Sequence, residues 1–372
     1  AFSCLSCTAE IYGSSLNSSF ATYNGGAVYG AKSASISIEE SQFRSNTANS
    51  GGVAYVDGST LEVEGSVFDS NAANYGAVIS SEADSTVILD GSSFNMNSAN
   101  MVLDCVDYLV QLRDGYGDGW ATENNPPEAP YNYLYIGDRN FTLKDGFEDT
   151  VVTCLAPGTY SPYVCDENAP WWAEIDISWS IYNLEEVMVI SGGYFRACSN
   201  ASWLNFTVDG NNGKGGVIYA TSSTVTINAS AFISNSANHI GGVVYASSST
   251  LKINGSRFDF NVASNSGGAL YVSSSTVLVY GSELTSNSAS HGGAQYAKES
   301  RVSFYGSSFG NNTASSGTVL AHEHSDLTFI NTHFTVAADT SAMFVDFAEV
   351  SVELSCATSV CLPGLYGQCE AF

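Results

Sequence analysis

The chain has 372 residues, of which 37 are acidic and 11 basic, giving a net charge of −26. So negative a surface repels phosphate backbones and anionic lipid, which excludes a nucleic-acid partner. With 44% hydrophobic and 12% aromatic residues the chain is not a disordered polyelectrolyte, and no apolar run reaches the 18 residues of a membrane-spanning helix.

Residues 1–20 contain Cys4 and Cys7 and read as an N-terminal cap stapled by a disulfide, since one CxxC without a partner pair is a poor zinc or redox motif. From residue 21 a repeat takes over. GGAVY at 25, GGVAY at 51 and GAVIS at 76 recur as GGVIY at 215, GGVVY at 241, GGALY at 267, GGAQY at 292 and GTVLA at 317. Behind each runs a stretch of the type STLEVEG or STVTINA, in which apolar residues alternate with polar ones. An F-x-x-N-x-A turn follows in most coils, and the spacing within each run is 25 or 26 residues.

Period-2 alternation predicts short strands ended by Gly and Asn. No hairpin turn joins them, so equivalent strands of successive coils stack in parallel, about 4.8 Å apart. The fold class expected is all-β, a right-handed parallel β-helix of 25–26-residue coils over 21–105 and again over 187–355. Phe43, Phe68, Phe94, Phe232, Phe258, Phe309 and Phe334, with Leu284 as a substitute, form an inward stack. Asn46, Asn71, Asn97, Asn235, Asn261, Asn287 and Asn312 form a ladder whose amides satisfy backbone groups in the turn. In the second run Phe195 and Cys198 stand in the Phe and Asn positions of a coil.

Between the runs the period is lost. Residues 106–186 read as an inserted domain, a small antiparallel β-sandwich with strand signals DYLVQLRD, YNYLYIGDRNFTL, DTVVTCL, TYSPYVC and AEIDISWSIYN. If Cys105 and Cys198 flank its two exits they bridge its neck, leaving Cys154 to pair with Cys165, one of three connectivities open to four cysteines. Residues 356–372 form a Cys-rich C-terminal segment with Cys356, Cys361 and Cys369. The odd total of nine cysteines leaves at least one thiol free or joined to another molecule.

The paired GGA(apolar) and FxxN signatures resemble the polymorphic outer-membrane protein repeats, which implies a surface-exposed, adhesive β-helix. The chain lacks the outer-membrane barrel of that family. The stretch DGYGDGW at 114–120, followed by GTY and AEIDISW, resembles a DxYGDGW-type module of secreted proteins. Carried over to this chain, that resemblance makes Asp114, Asp118 and Glu174 candidate calcium ligands. Paired carboxylates on a Gly-rich loop suit a hard cation. They suit equally the capping of a tight turn, with Trp120, Trp171, Trp172 and Trp179 filling the sandwich core. The loop does not have the spacing of an EF-hand.

Other chemistry is thinly represented. There is no Gly-x-Ser-x-Gly elbow, HExxH or phosphate-binding loop, and Arg44, Lys252, Arg257 and Arg301 fall at non-equivalent positions away from acidic clusters. His322-Glu323-His324 reads as a solvated turn in preference to a metal site. The Thr60, Thr86, Thr224, Thr250 and Thr276 row is interrupted by Arg301 and Asp326, which argues against an ice- or glycan-binding face.

Seven sequons, at Asn17, Asn140, Asn200, Asn205, Asn228, Asn254 and Asn311, together with the clustered cysteines, imply a secretory route, N-linked glycans and an extracellular location. The lack of an initiator Met and of a signal-peptide core reads as a mature or trimmed chain. The expectation is a non-catalytic structural or adhesive glycoprotein that self-associates into a filament or joins other surface proteins. A carbohydrate-binding protein using Trp171 or Trp172 of the insert is the alternative, and a polysaccharide-active β-helix enzyme the third reading.

Overall fold

The computed structural model describes residues 2–100, 106–115, 120, 133–156, 158–165, 177–183, 188–195, 206–208, 213–335, 343–346 and 350–353. Among them every regular element is a strand. The chain separates into two units, 1–101 with 211–372, and 102–210.

The first unit is a parallel β-helix of ten turns. One face is a ten-stranded sheet from Phe2–Leu5 to Met343–Asp346, the second a ten-stranded sheet from Thr8–Tyr12 to Val350–Glu353, and the third a nine-stranded sheet from Ser15–Asn17 to His333–Thr335. A shorter fourth sheet of six strands runs from Ala72–Ala73 to Thr313–Ser316 along the turn. Neighbouring strands pair in parallel, each residue above its equivalent one coil earlier, as Ile218 above Ile79 and Val244 above Ile218. Alternation therefore acts twice. It sends Val225, Ile227, Leu251 and Ile253 inward, and it stacks like on like along the axis.

Three columns hold the turns. Phe43, Phe68, Phe94, Phe232 and Phe258 stack face to face with ring centroids 4.8–5.1 Å apart, and Phe309 stacks on Phe334 beyond Leu284. The asparagine ladder runs beside them. Asn261 Nδ2 donates to the Phe232 carbonyl and to Asn287 Oδ1, while its own Oδ1 accepts from the Asn235 backbone N–H and Asn235 Nδ2, all at 2.9–3.1 Å. The same bonds link Asn97 to Asn235 across the interruption. At the corner Gly241 has φ +67°, and a Cβ on Gly242 would strike the carbonyl oxygen of Gly268 in the next coil, so the Gly-Gly pair is obligatory there.

Serine columns supply the remaining corners. Ser59, Ser85, Ser249, Ser275, Ser300 and Ser325 each accept a backbone N–H from the preceding coil through Oγ. So do Ser41, Ser66, Ser92, Ser230, Ser256, Ser282 and Ser307. The threonines next to the first set point outward and carry none of this load.

The structure corrects two boundaries. Residues 2–17 are a full first coil, paired strand for strand with the second, where a separate cap was expected. Residues 188–195, expected to open the second run of coils, instead pair antiparallel with Ile177–Asn183 in the insert. The Gly192-Gly193 pair imitates a coil corner but lies within a strand. Coils resume where Lys214 bridges Tyr75.

The insert is built on a five-stranded sheet in which Val106–Asp114 lies between Glu148–Leu155 and Ile177–Asn183, all antiparallel. The hairpin of Leu134–Ile136 and Arg139–Phe141 covers one face, closing a core of Val110, Leu112, Trp120, Leu134, Ile136, Trp179 and Ile181.

Replacing Asn261 by Ala removes four hydrogen bonds and takes the side-chain partner from three groups, the Asn235 N–H, one Asn235 Nδ2–H and the Phe232 carbonyl, at about 1–3 kcal/mol each. We expect urea unfolding to show a loss of at least ~3 kcal/mol, comparable to the roughly 3–5 kcal/mol expected for Phe258→Ala. Thr250→Ala on the exposed face should change stability by under ~0.5 kcal/mol.

Candidate functional site

The first coil exposes what later coils hide. Its inward residues Ala9, Ile11 and Leu16 are half-buried, whereas the residues above them, Ile36, Ile38 and Phe43, are fully buried. Among the described residues no strand pairs with the edges of Phe2–Leu5, Thr8–Tyr12 and Ser15–Asn17 that face away from the second coil. Around this end stand Phe2, Leu5, Tyr12, Phe20 and Tyr23, the last three 65–74% exposed. The Cys4–Cys7 disulfide closes the corner of this coil, with the Cys4 side chain fully buried. An apolar end face with open strand edges is chemically a template for another coil.

The insert's candidate site is described only in part. Asp114 ends its strand, is 4% exposed, and its N–H donates to the Phe147 carbonyl at 2.8 Å. Asp118 and Glu174 lie outside the described residues. Among those described, no three His, Cys, Asp or Glu side chains converge as a metal site. Trp120 and Trp179 are buried core residues, Trp120 Nε1 donating to the Arg113 carbonyl at 3.0 Å. Trp171 and Trp172 lie outside the described residues. Cys154 is disulfide-bonded. Cys105, Cys198, Cys356, Cys361 and Cys369, and the side chain of Cys165, lie outside what is described.

Of the sequons, Asn17, Asn140 and Asn311 are exposed and Asn228 and Asn254 half-exposed, while Asn200 and Asn205 lie outside the described residues. All seven ladder asparagines are buried.

Among the described residues, shallow clefts on the β-helix surface include the following two. One, of about 240 Å³, is lined by His239, Asn265, Tyr271, Tyr296, Lys298 and Glu323, where Tyr296 donates to Glu323 at 3.0 Å and Lys298 Nζ lies 3.0 Å from the same carboxylate. The hydrogen bond from Lys298 holds the Glu323 carboxyl below its usual range. The other, of about 380 Å³, is lined by Arg44, Val67, Asp69, Asn95, Met96 and Ile233.

His322 departs from the solvated turn expected of it. It occupies the inward column of Ala246, Val272 and Ala297, is 1% exposed, and neither ring nitrogen has a hydrogen-bond partner among the described residues. Gln295 is buried in the same sheet with its amide likewise unmatched. Burial lowers the His322 pKa from 6.5 to about 3.

With the geometry in place, comparison with known proteins finds no family that matches the chain and no curated protein similar to it.

The unfolded chain protonates His322 near pH 6.5 and the folded chain resists until about pH 3, so its neutral form costs nothing above pH 6.5 and stability falls as pH drops through that window. Relative to His322→Val, the unmodified chain should lose about 1.4 kcal/mol more per pH unit between 6 and 4. Parallel slopes in chemical-denaturation series of the two proteins would contradict this.

Proposed function

We propose that the chain is a non-catalytic extracellular structural or adhesive glycoprotein that associates end to end through its β-helix. The observation that carries this reading is the surface of the coil at residues 2–17: half-buried Ala9, Ile11 and Leu16, three strand edges that no described strand pairs, and exposed Phe2, Leu5, Tyr12, Phe20 and Tyr23. A face of this kind joined to a different surface on a second copy is heterologous, and a heterologous contact that does not close makes a fibre. The resemblance to adhesive surface repeats, the sequons and the Cys4–Cys7 disulfide support an extracellular setting. Calcium at Asp114, Asp118 and Glu174 belongs to the same proposal. The burial of the Asp114 carboxylate suits a cation ligand as it suits a turn cap.

The test is light scattering and electron microscopy on the full chain under non-reducing conditions with calcium. We expect concentration-dependent elongated assemblies, weakened at least tenfold by the double variant Leu5→Lys, Tyr12→Lys, whose exposed positions leave the melting transition in place. Monomers at every concentration, or an unchanged assembly in the variant, would count against the proposal.

A further inference from the structure

Two of the sequons stand one on the other. Asn228 and Asn254 end strands Thr224–Asn228 and Thr250–Asn254 and are direct partners in the parallel register. Asn254 Nδ2 donates to Asn228 Oδ1 at 2.7 Å. The sequon serines Ser230 and Ser256 are buried members of the hydroxyl column, each donating to the carbonyl of its own asparagine, and Ser256 Oγ also accepts the Ser230 N–H. The serine is thus a demand of the fold in most coils. What makes these two coils into sequons is asparagine in a column otherwise filled by Tyr12, Glu39, Glu64, Asp90, Tyr280, Tyr305, Ile330 and Glu353.

We propose that in the folded chain this pair carries a single N-glycan, on Asn228, with Asn254 unmodified as its hydrogen-bonded partner. The inference rests on the extracellular glycoprotein reading above. Attachment forms a bond from the anomeric carbon of the sugar to the asparagine amide nitrogen. It breaks the bond from that carbon to the diphosphate of an activated glycan donor, and the displaced amide proton leaves to solvent.

The two side chains are not equivalent toward this step. Asn228 enters the shared hydrogen bond through its oxygen, so a sugar on its nitrogen leaves the bond whole. Asn254 enters through its nitrogen, where a sugar replaces one of the two N–H groups and sits against Asn228. The outer flanks differ as well. Beyond Asn228 is the exposed Asp90, whereas beyond Asn254 is Tyr280, whose ring stacks on Tyr305 at 4.7 Å and walls that side. Coils only about 4.8 Å apart cannot seat two branched glycans side by side.

The protein should be secreted from a eukaryotic cell, its folded fraction isolated, and its glycans removed enzymatically in ¹⁸O water, which marks each occupied asparagine as a labelled aspartate. Trypsin separates the two sites, since cleavage after Lys214, Lys252 and Arg257 leaves Asn228 on the peptide 215–252 and Asn254 on the peptide 253–257. We expect label at Asn228 to exceed that at Asn254 at least tenfold. Comparable or greater label at Asn254, or no label at Asn228 while Asn17, Asn140 or Asn311 is labelled, overturns the assignment and leaves the glycoprotein reading standing. No label at any sequon overturns both.

Discussion

The structure depends on one constraint, that every coil turning a corner buries backbone N–H and C=O groups that neither water nor a sheet ladder can reach. The asparagine ladder meets it. Each side chain supplies two donors and one doubly accepting oxygen, and an interior member such as Asn261 finds all of these partners in the coil before and the coil after. A side chain one methylene longer or shorter could not span the same gap. The ladder thereby holds successive coils at one register, and the register places Phe over Phe and Val over Ile. Packing of the core and satisfaction of the turn are then a single cooperative arrangement, carried from coil to coil by nearest neighbours.

The same arrangement explains how the chain tolerates an insertion of about a hundred residues. Asn97 bonds to Asn235 and Phe94 stacks on Phe232 with the same distances found between coils adjacent in sequence. One local adjustment is visible at this junction. The tyrosine column of the first face reads Tyr29, Tyr55, Ser80, Tyr219, Tyr245, and at the missing ring Tyr75 from the preceding turn packs on Tyr219 at 5.2 Å.

Much of this was legible in the sequence because the period is carried by rare residues in fixed places. Gly-Gly, Phe and Asn at one spacing specify corner, core and ladder together. The serine columns were not legible, since Ser59 and Ser66 cannot be told from their neighbours in a chain rich in Ser and Thr until the register shows which hydroxyls face inward. Residues 2–17 were missed as a coil because they carry no Gly-Gly corner. Residues 188–195 were assigned to a coil because Gly-Gly-Tyr-Phe imitates one, although antiparallel pairing with Ile177–Asn183 prevails. His322 was read as surface, yet counting from Gly317 places it in the inward column of Val272 and Ala297. The end face was anticipated only in principle, as the raw edge every solenoid has. Its particular residues, Ile11 and Leu16 beneath Ile38 and Phe43, emerge from pairing alone.

The ladder passes its bonds from coil to coil, and the coil of residues 2–17 presents strand edges that no described strand pairs, together with half-buried apolar side chains, a surface that a further coil of another chain would complete. Hydrogen–deuterium exchange, read coil by coil at low and high protein concentration, tests this most directly. The account predicts uniform, strong protection from residue 35 to residue 310 of the β-helix, equal on the two sides of the insert, with residues 2–17 exchanging fast in dilute solution and slowing as concentration rises. Residues 2–17 as protected in dilute monomer as their neighbours, or two separate protection levels before and after the insert, would contradict it.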